Sequence, residues 1–231
     1  MSKLGNLNTI NHYIKISRQT SASRYPDLNL VRISGKFFKN NYGNVLDFAC
    51  GPGLNLIHLA KKGFNLYGID TSPYFIKQVK SKIKKSLKIK KKIFLKVLKK
   101  NYTKLPFKNN FFDYVVCVSI LSLLGNQKKI ENLLVELKRV MKPNAKIILD
   151  INGSKSHYAI YGKKKEKFLY EFYGIEKKDK PILCFCPDKM KDFEKIVKKF
   201  FDIKEKGHAL HKYFSYVSHE YIICASNNKK L

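Results

Sequence analysis

The sequence predicts an α/β sandwich built on a mostly parallel sheet. Three observations carry that expectation. Strand-like and helix-like patterns alternate between residues 44 and 151, the strand patterns are nearly unbroken apolar runs, and a glycine-containing turn, Cys50-Gly51-Pro52-Gly53, joins the first of these strands to a helix. Alternation of this kind builds a sheet with helices packed on both faces. Strands covered on both faces lose the polar half of their pattern.

The elements follow in order. Residues 1–26 are polar without a strong period, and residues 27–38 (DLNLVRISGKFF) read as a helix starting just after Pro26. Residues 44–48 are the first strand, and residues 54–62 a helix that Gly63 stops. Residues 65–69 form the second strand. Thr71-Ser72-Pro73 then supplies a hydroxyl cap and a first-turn proline for a helix with Ile76, Val79, Ile83 and Leu87 on one face. Residues 93–98 and 113–118 are the third and fourth strands. A helix over 128–141 carries Ile130, Leu133, Leu134, Leu137 and Val140, and the fifth strand covers 146–151. Beyond Ile151 the rhythm breaks into an irregular stretch, followed by a helix over 187–200 and strands over 201–205 and 220–225. The expected organisation is one domain, residues 41–231, behind an N-terminal helical cap over residues 1–40.

Composition narrows the classes. With 231 residues, 44% of them hydrophobic, the chain can bury one sizeable core. No apolar leader opens it, and its longest apolar stretch, YVVCVSILSLL, is short and serine-interrupted, so a cytoplasmic protein without a membrane span is expected. The five cysteines are irregularly spaced. Cys50, Cys117 and Cys224 fall in or beside strands as small buried hydrophobes, and Cys184-Phe-Cys186 lacks a second pair to complete a metal set. No metal is expected. The 47 Lys+Arg against 17 Asp+Glu, a formal +30, invite a polyanionic partner. Only four of those cations are arginines, the residue that clamps phosphates and reads bases, which argues against nucleic acid as the favoured partner. The wealth of Lys, Asn, Ile, Phe and Tyr also fits AT-rich coding, although a basic surface still attracts anions.

The turn carries the chemistry. Gly51 and Gly53 let backbone approach a ligand, with helix-start amides facing it. A dinucleotide site wants a small residue where the helix meets the strand, and Leu56 stands there. Asp47 lies inside the strand before the turn, where its carboxylate would repel a pyrophosphate and tolerate an ammonium or a sulfonium. Asp70, about twenty residues past the turn, suits a bidentate hydrogen bond to ribose hydroxyls; it can also cap the next helix. Further on comes NYTKLPFKNNFFDYVVCVSILSLL.

With that segment, residues 44–151 resemble the class I S-adenosylmethionine-dependent methyltransferases, near the small-molecule branch. The resemblance implies a Rossmann-like three-layer sandwich whose seven-stranded, mostly parallel sheet has its last strand antiparallel. It implies S-adenosyl-L-methionine as cofactor, with the turn from Ala49 to Gly53 against the methionyl part. Asp47 would hold the amino group and Asp70 the ribose. Asn101 and Tyr102 would serve the adenine, and Val118 and Ser119 would flank the sulfonium. Two departures stand out: Ala49 replaces a family glycine, and Asn101 replaces a carboxylate with an amide that still accepts a hydrogen bond.

The methyl acceptor is not carried by the resemblance. The fourth strand ends in Cys117-Val118-Ser119-Ile120, without the Asn/Asp-Pro-Pro-aromatic turn of nucleic-acid amino methyltransferases and without the Pro-Cys of base C5 enzymes. The expectation is O- or N-methylation of a small molecule. The candidate walls are Tyr13, Arg24 and Tyr25 before the domain and NGSKSHYAIY, with Tyr158, after the fifth strand. Arg24 would suit an anionic acceptor or the cofactor carboxylate, or be a surface arginine. His157 is the candidate general base, with an uninvolved loop histidine as the alternative. His208, His211 and His219 read as structural or lid residues. Two other readings stay open: an RNA or protein methyltransferase docking through its basic face, and a non-catalytic binding subunit of the same fold.

Overall fold

The computed structural model describes residues 4–19, 25–39, 42–85, 93–99, 101–177 and 179–228. Its sheet runs β3-β2-β1-β4-β5-β10-β9, with β1 (Asn44–Phe48), β2 (Asn65–Asp70), β3 (Ile93–Val97), β4 (Phe112–Cys117), β5 (Met141–Asn152), β9 (Asp202–Tyr213) and β10 (Tyr216–Ser226). Neighbours from β3 to β5 are parallel, and β10, last in the chain, is antiparallel to β5 and β9 alike. This is the seven-stranded arrangement that the resemblance implied.

Period-two alternation sorts the side chains between two apolar layers. Leu46 and Phe48 of β1, with Val115 and Cys117 of β4, face α5 (Gln127–Val140) and α7 (Met190–Val197). Val45, Tyr114 and Val116 face α2 (Leu28–Phe37), α3 (Leu54–Lys61) and α4 (Pro73–Lys85). Ile130, Leu134, Leu137 and Val140 of α5 are fully buried, so truncating Ile130, Leu134 or Leu137 to Ala would remove about 2–5 kcal/mol. Local chemistry starts the helices as read. The Asp27 carboxylate accepts from Leu30 N at 2.7 Å to cap α2, and Ser72 Oγ accepts from Phe75 N at 3.4 Å at the start of α4. Ile76 and Val79 of the α4 stripe are buried, and Leu87 lies outside the described residues.

The N-terminal stretch forms a helix, α1 (Leu4–Gln19), which rests against residues 182–185. Two later regions differ from the sequence expectation. After β5 the chain is ordered, not irregular. The short α6 (His157–Ile160) leads into an antiparallel sheet of β6 (Lys163–Glu166), β7 (Leu169–Phe172) and β8 (Ile182–Phe185). This small sheet closes over its own core of Leu123, Tyr158, Tyr170, Phe172, Ile182, Cys184 and Cys186. The final two strands are also longer than 201–205 and 220–225, because they extend each other as one hairpin from Asp202 to Ser226. All five cysteines are free and buried. Among the described residues no helix is long and apolar enough to cross a membrane.

Candidate active site

The carboxyl ends of β1, β2 and β4 meet in one cleft of about 290 Å³. Its floor is the β1–α3 turn. Three residues there take left-handed backbone conformations, Ala49 at φ 57°, Gly51 at 49° and Gly53 at 76°. The glycines serve different ends. A Cβ on Gly53 would stand 2.5 Å from Val79 Cγ2, so its bareness lets α3 begin tight against α4. A Cβ on Gly51 would meet nothing within 4 Å, and Gly51 borders the cleft. Ala49 bears the cost of the same conformation with a methyl group present, on the order of 1–2 kcal/mol.

Asp70, at the end of β2, pins this turn. Its Oδ2 accepts from Gly51 N at 2.9 Å and its Oδ1 from Ser72 N at 2.8 Å. A third backbone N–H, that of Thr71, also bonds the carboxylate, and the residue lines the cleft. Burial raises its pKa above the usual carboxylate range, against the backbone N–H groups that favour the anion.

Asp47 stands behind the turn. It is 2% exposed, and its Oδ2 has no hydrogen-bond partner. Burial, then the charge of Asp70, pushes its pKa up to about 8, opposed by a hydrogen bond from Leu56 N. A buried carboxyl oxygen with nothing to accept from is the opening an ammonium donor fills.

The other walls come from several elements. Leu98 and Tyr102 follow β3, and Val118 and Ser119 follow β4. Thr9, Ile10 and Tyr13 of α1 also border the space. Ser119 takes a left-handed φ of 58°, and its N–H donates at 2.6 Å to Oδ1 of Asp150, a buried acid on β5.

Of the residues singled out from sequence, Ala49, Gly51, Asp70, Tyr102, Val118, Ser119 and Tyr13 border this cleft, while Asp47 and Gly53 lie behind its floor. Asn101 is exposed and does not line it; Tyr102 and Leu98 are the residues there. Tyr25 is 75% exposed, and Arg24 lies outside the described residues. Tyr158 is buried, its hydroxyl in hydrogen-bond contact with that of Tyr13.

His157 differs most from its expected setting. It is 7% exposed rather than on a loop surface, its Nδ1 lies 3.0 Å from the Val217 carbonyl, and its ring sits among Tyr158, Phe172 and Tyr216. Burial lowers its pKa to about 4, leaving a neutral imidazole away from the cleft lining. His219 accepts from Lys155 N at 3.1 Å, a structural contact, and His208 and His211 are both exposed on β9.

Sequence reading found Tyr13 but missed Thr9 and Ile10 of α1, because that segment shows no clear period, and it missed Asp150. The signal for Asp150 was available: it is the lone acid within the apolar run Ile147 to Ile151.

Comparison with known proteins gives the frame. A methyltransferase-domain family matches residues 46–149. The putative methyltransferase YqeM of Bacillus subtilis is 31% identical over 112 residues, which are 48% of this chain and 43% of that protein. The ubiquinone biosynthesis O-methyltransferase of Rickettsia akari is 28% identical over 122 residues, 50% of this chain and 43% of that one. The chain thus spans less than half the length of these curated relatives. The crystal structure of a SAM-dependent methyltransferase from Methanosarcina mazei superposes with a TM-score of 0.74 at 19% identity, over 89% of this chain and all of the other, a likeness of fold. Residues 46–149 are therefore similar to a methyltransferase domain, within a fold shared with SAM-dependent methyltransferase structures.

Proposed function

We propose that the protein is a methyltransferase that binds S-adenosyl-L-methionine in this cleft and methylates oxygen or nitrogen of a small molecule. The observation that carries the proposal is the pairing of Asp70, held by the turn in the cleft wall, with the unpartnered Asp47 Oδ2 behind it. When bound, the cofactor supplies a methyl group already activated on a cationic sulfur.

The chain's own groups do the positioning. Asp70 accepts from the ribose hydroxyls, Asp47 takes the ammonium, and Tyr102 and Leu98 flank the adenine. Val118 and Ser119 border the reacting centre. Much of the acceleration then comes from holding the acceptor in line with the methyl carbon. Residues 1–40 act as a cap in this reading, with Thr9, Ile10 and Tyr13 of α1 covering the cleft. Apolar and hydroxyl side chains of α1 beside the cleft suit a small acceptor better than a folded RNA or protein.

Calorimetry with S-adenosylhomocysteine tests the assignment. Binding in the micromolar range is expected, and Asp70→Ala should weaken it at least about tenfold through loss of the ribose contacts. No binding by folded protein would reject the reading. Unchanged affinity in Asp70→Ala would remove Asp70 from the ribose role.

A further inference from the structure

The hairpin of β9 and β10 runs past the rest of the sheet. β10 pairs with β5 from Ser226 back to Glu220, and Glu220 meets Asn152 at the carboxyl end of β5. Tyr216 to His219 therefore lie beyond that end, on the side of the sheet where the cleft opens. Tyr213 pairs with Tyr216, and Phe214 and Ser215 make the turn between them.

Phe214 takes a left-handed φ of 51° and is fully exposed. Two-residue hairpin turns place Asn, Asp or Gly at positive φ, because a bulky side chain is strained there. Here an aromatic ring bears that strain and no burial offsets it. Its neighbours repeat the pattern, since Leu210, Tyr213 and Tyr216 are large side chains left exposed on the same ribbon.

The patch continues onto α6 and β6. The Tyr161 hydroxyl donates to the Ser215 carbonyl at 2.9 Å, which ties the tip to the segment that carries Ile160 and β6. Ile160 is exposed, and so is every residue of β6, three of which are lysines, Lys163, Lys164 and Lys165. Lys165 pairs with Glu171 at 3.7 Å, and Glu166 is the one acid of β6. Lys212 stands exposed two residues before Phe214. The arrangement is an apolar tip with ammonium groups beside it.

The side chains discriminate among occupants. Leu210 and Ile160 are aliphatic and offer bases no ring to stack on, and neither 160–167 nor 206–216 contains an arginine. A second copy would bring another formal +30 against the first. An anionic lipid surface suits both halves of the patch. Its headgroups attract the lysines, its acyl region takes Phe214 and Leu210, and tyrosine is at home between the two.

We propose that the β9–β10 tip, with Ile160 and β6 beside it, docks the protein on an anionic phospholipid bilayer, with Phe214 in the acyl layer. Docking of this kind turns the cleft end of the sheet toward the lipid. The proposal goes beyond the methyltransferase reading and does not depend on it.

The chain has no tryptophan. Phe214→Trp therefore sets a lone fluorescent reporter at the tip, and Tyr42→Trp sets one at an exposed site before β1, at the opposite end of the sheet. Each is titrated, without cofactor, with vesicles of phosphatidylcholine holding about one-third phosphatidylglycerol. A blue shift and quenching by brominated acyl chains are expected at position 214 and not at 42. In vesicle sedimentation, Leu210→Ser with Phe214→Ser, which leaves every charge in place, should bind at least about tenfold more weakly. Lys163→Gln with Lys164→Gln should weaken binding about tenfold or more. Urea midpoints like that of the wild type report the fold of each variant. No binding, unchanged tip emission on bound vesicles, or equal binding by the double serine variant overturns the proposal, the last by showing only general attraction to a basic surface. A change in tip emission produced by poly(U), or by raising protein concentration, and not by vesicles would overturn it in favour of RNA or of a second copy.

Discussion

In the free protein the Asp47 carboxyl keeps its proton past neutrality, with a pKa of about 8 set by burial first and Asp70 second. An ammonium brought to its unpartnered Oδ2 favours the anion and pulls that pKa back toward the ordinary carboxylate value of about 4. At pH 7 about nine in ten Asp47 side chains are then protonated before binding and almost none after, so ~0.9 proton leaves per cofactor bound. Affinity must follow. Between pH 6 and 7 the ionised fraction of free Asp47 climbs from about one in a hundred to about one in eleven, and the association constant for S-adenosylhomocysteine should rise about ninefold. The assay is calorimetry at pH 7 in phosphate and in Tris, whose ionisation enthalpies differ, with affinity also measured at pH 6. Asp70, raised by burial as well, adds release of the same sign, so Asp47→Asn assigns the proton by losing most of it. Binding without proton release, or equal release in Asp47→Asn, would refute the placement of the ammonium. The same linkage acts on the empty protein. Folding raises the pKa of Asp47, so its contribution to stability is full below about pH 4 and is lost as pH rises through about 8.

Three further outcomes follow from the turn and from His157. Ala49→Gly should raise stability by about 0.5–1 kcal/mol, since glycine takes a positive φ without the Cβ penalty and loses part of the gain in chain entropy; a lower urea midpoint would contradict the strain. Gly53→Ala should destabilise by about 2 kcal/mol or more through the clash with Val79. In a cycle with Val79→Ala the two changes should couple by about 1 kcal/mol, and simple additivity would show that the clash does not govern. The His157 C2 proton resonance should stay flat from neutral pH down to about 5 and move only near pH 4. Its folded pKa lies below the unfolded 6.5, so its stabilisation is present above 6.5 and is lost as pH falls toward 4. A midpoint near 6.5 would place the ring in water.

What the chain made legible depended on how many constraints acted on each residue. Strands β1, β2 and β4 and helix α5 are buried on faces that leave a clear period, so sequence boundaries and structural ones agree within a residue or two. Helix α1 is different: it meets a cleft and a small sheet, not a deep core, and residues 1–26 therefore show no strong stripe. The small sheet was hidden for a related reason. All four residues of β6 are exposed, and β7 and β8 have four residues each, too few to establish alternation. Asp70 could be read because its distance from the glycine turn is fixed by one strand and one helix. His157 could not, because the Val217 carbonyl and the Phe172 and Tyr216 rings that enclose it come from β7 and the distant final hairpin.

Helix α1 is fastened away from the floor that it covers. Asn8 Nδ2 reaches the Pro181 carbonyl at 3.1 Å, Lys15 meets Asp179 at 2.7 Å, and Tyr13 meets Tyr158. On the proposed function, the surfaces that would meet the acceptor are therefore written in a different stretch of chain from those that would hold the nucleoside. Substitutions along α1 or β8 can redraw the entrance while the turn from Ala49 to Gly53 stays as it is, so one scaffold can change clientele without relearning its donor.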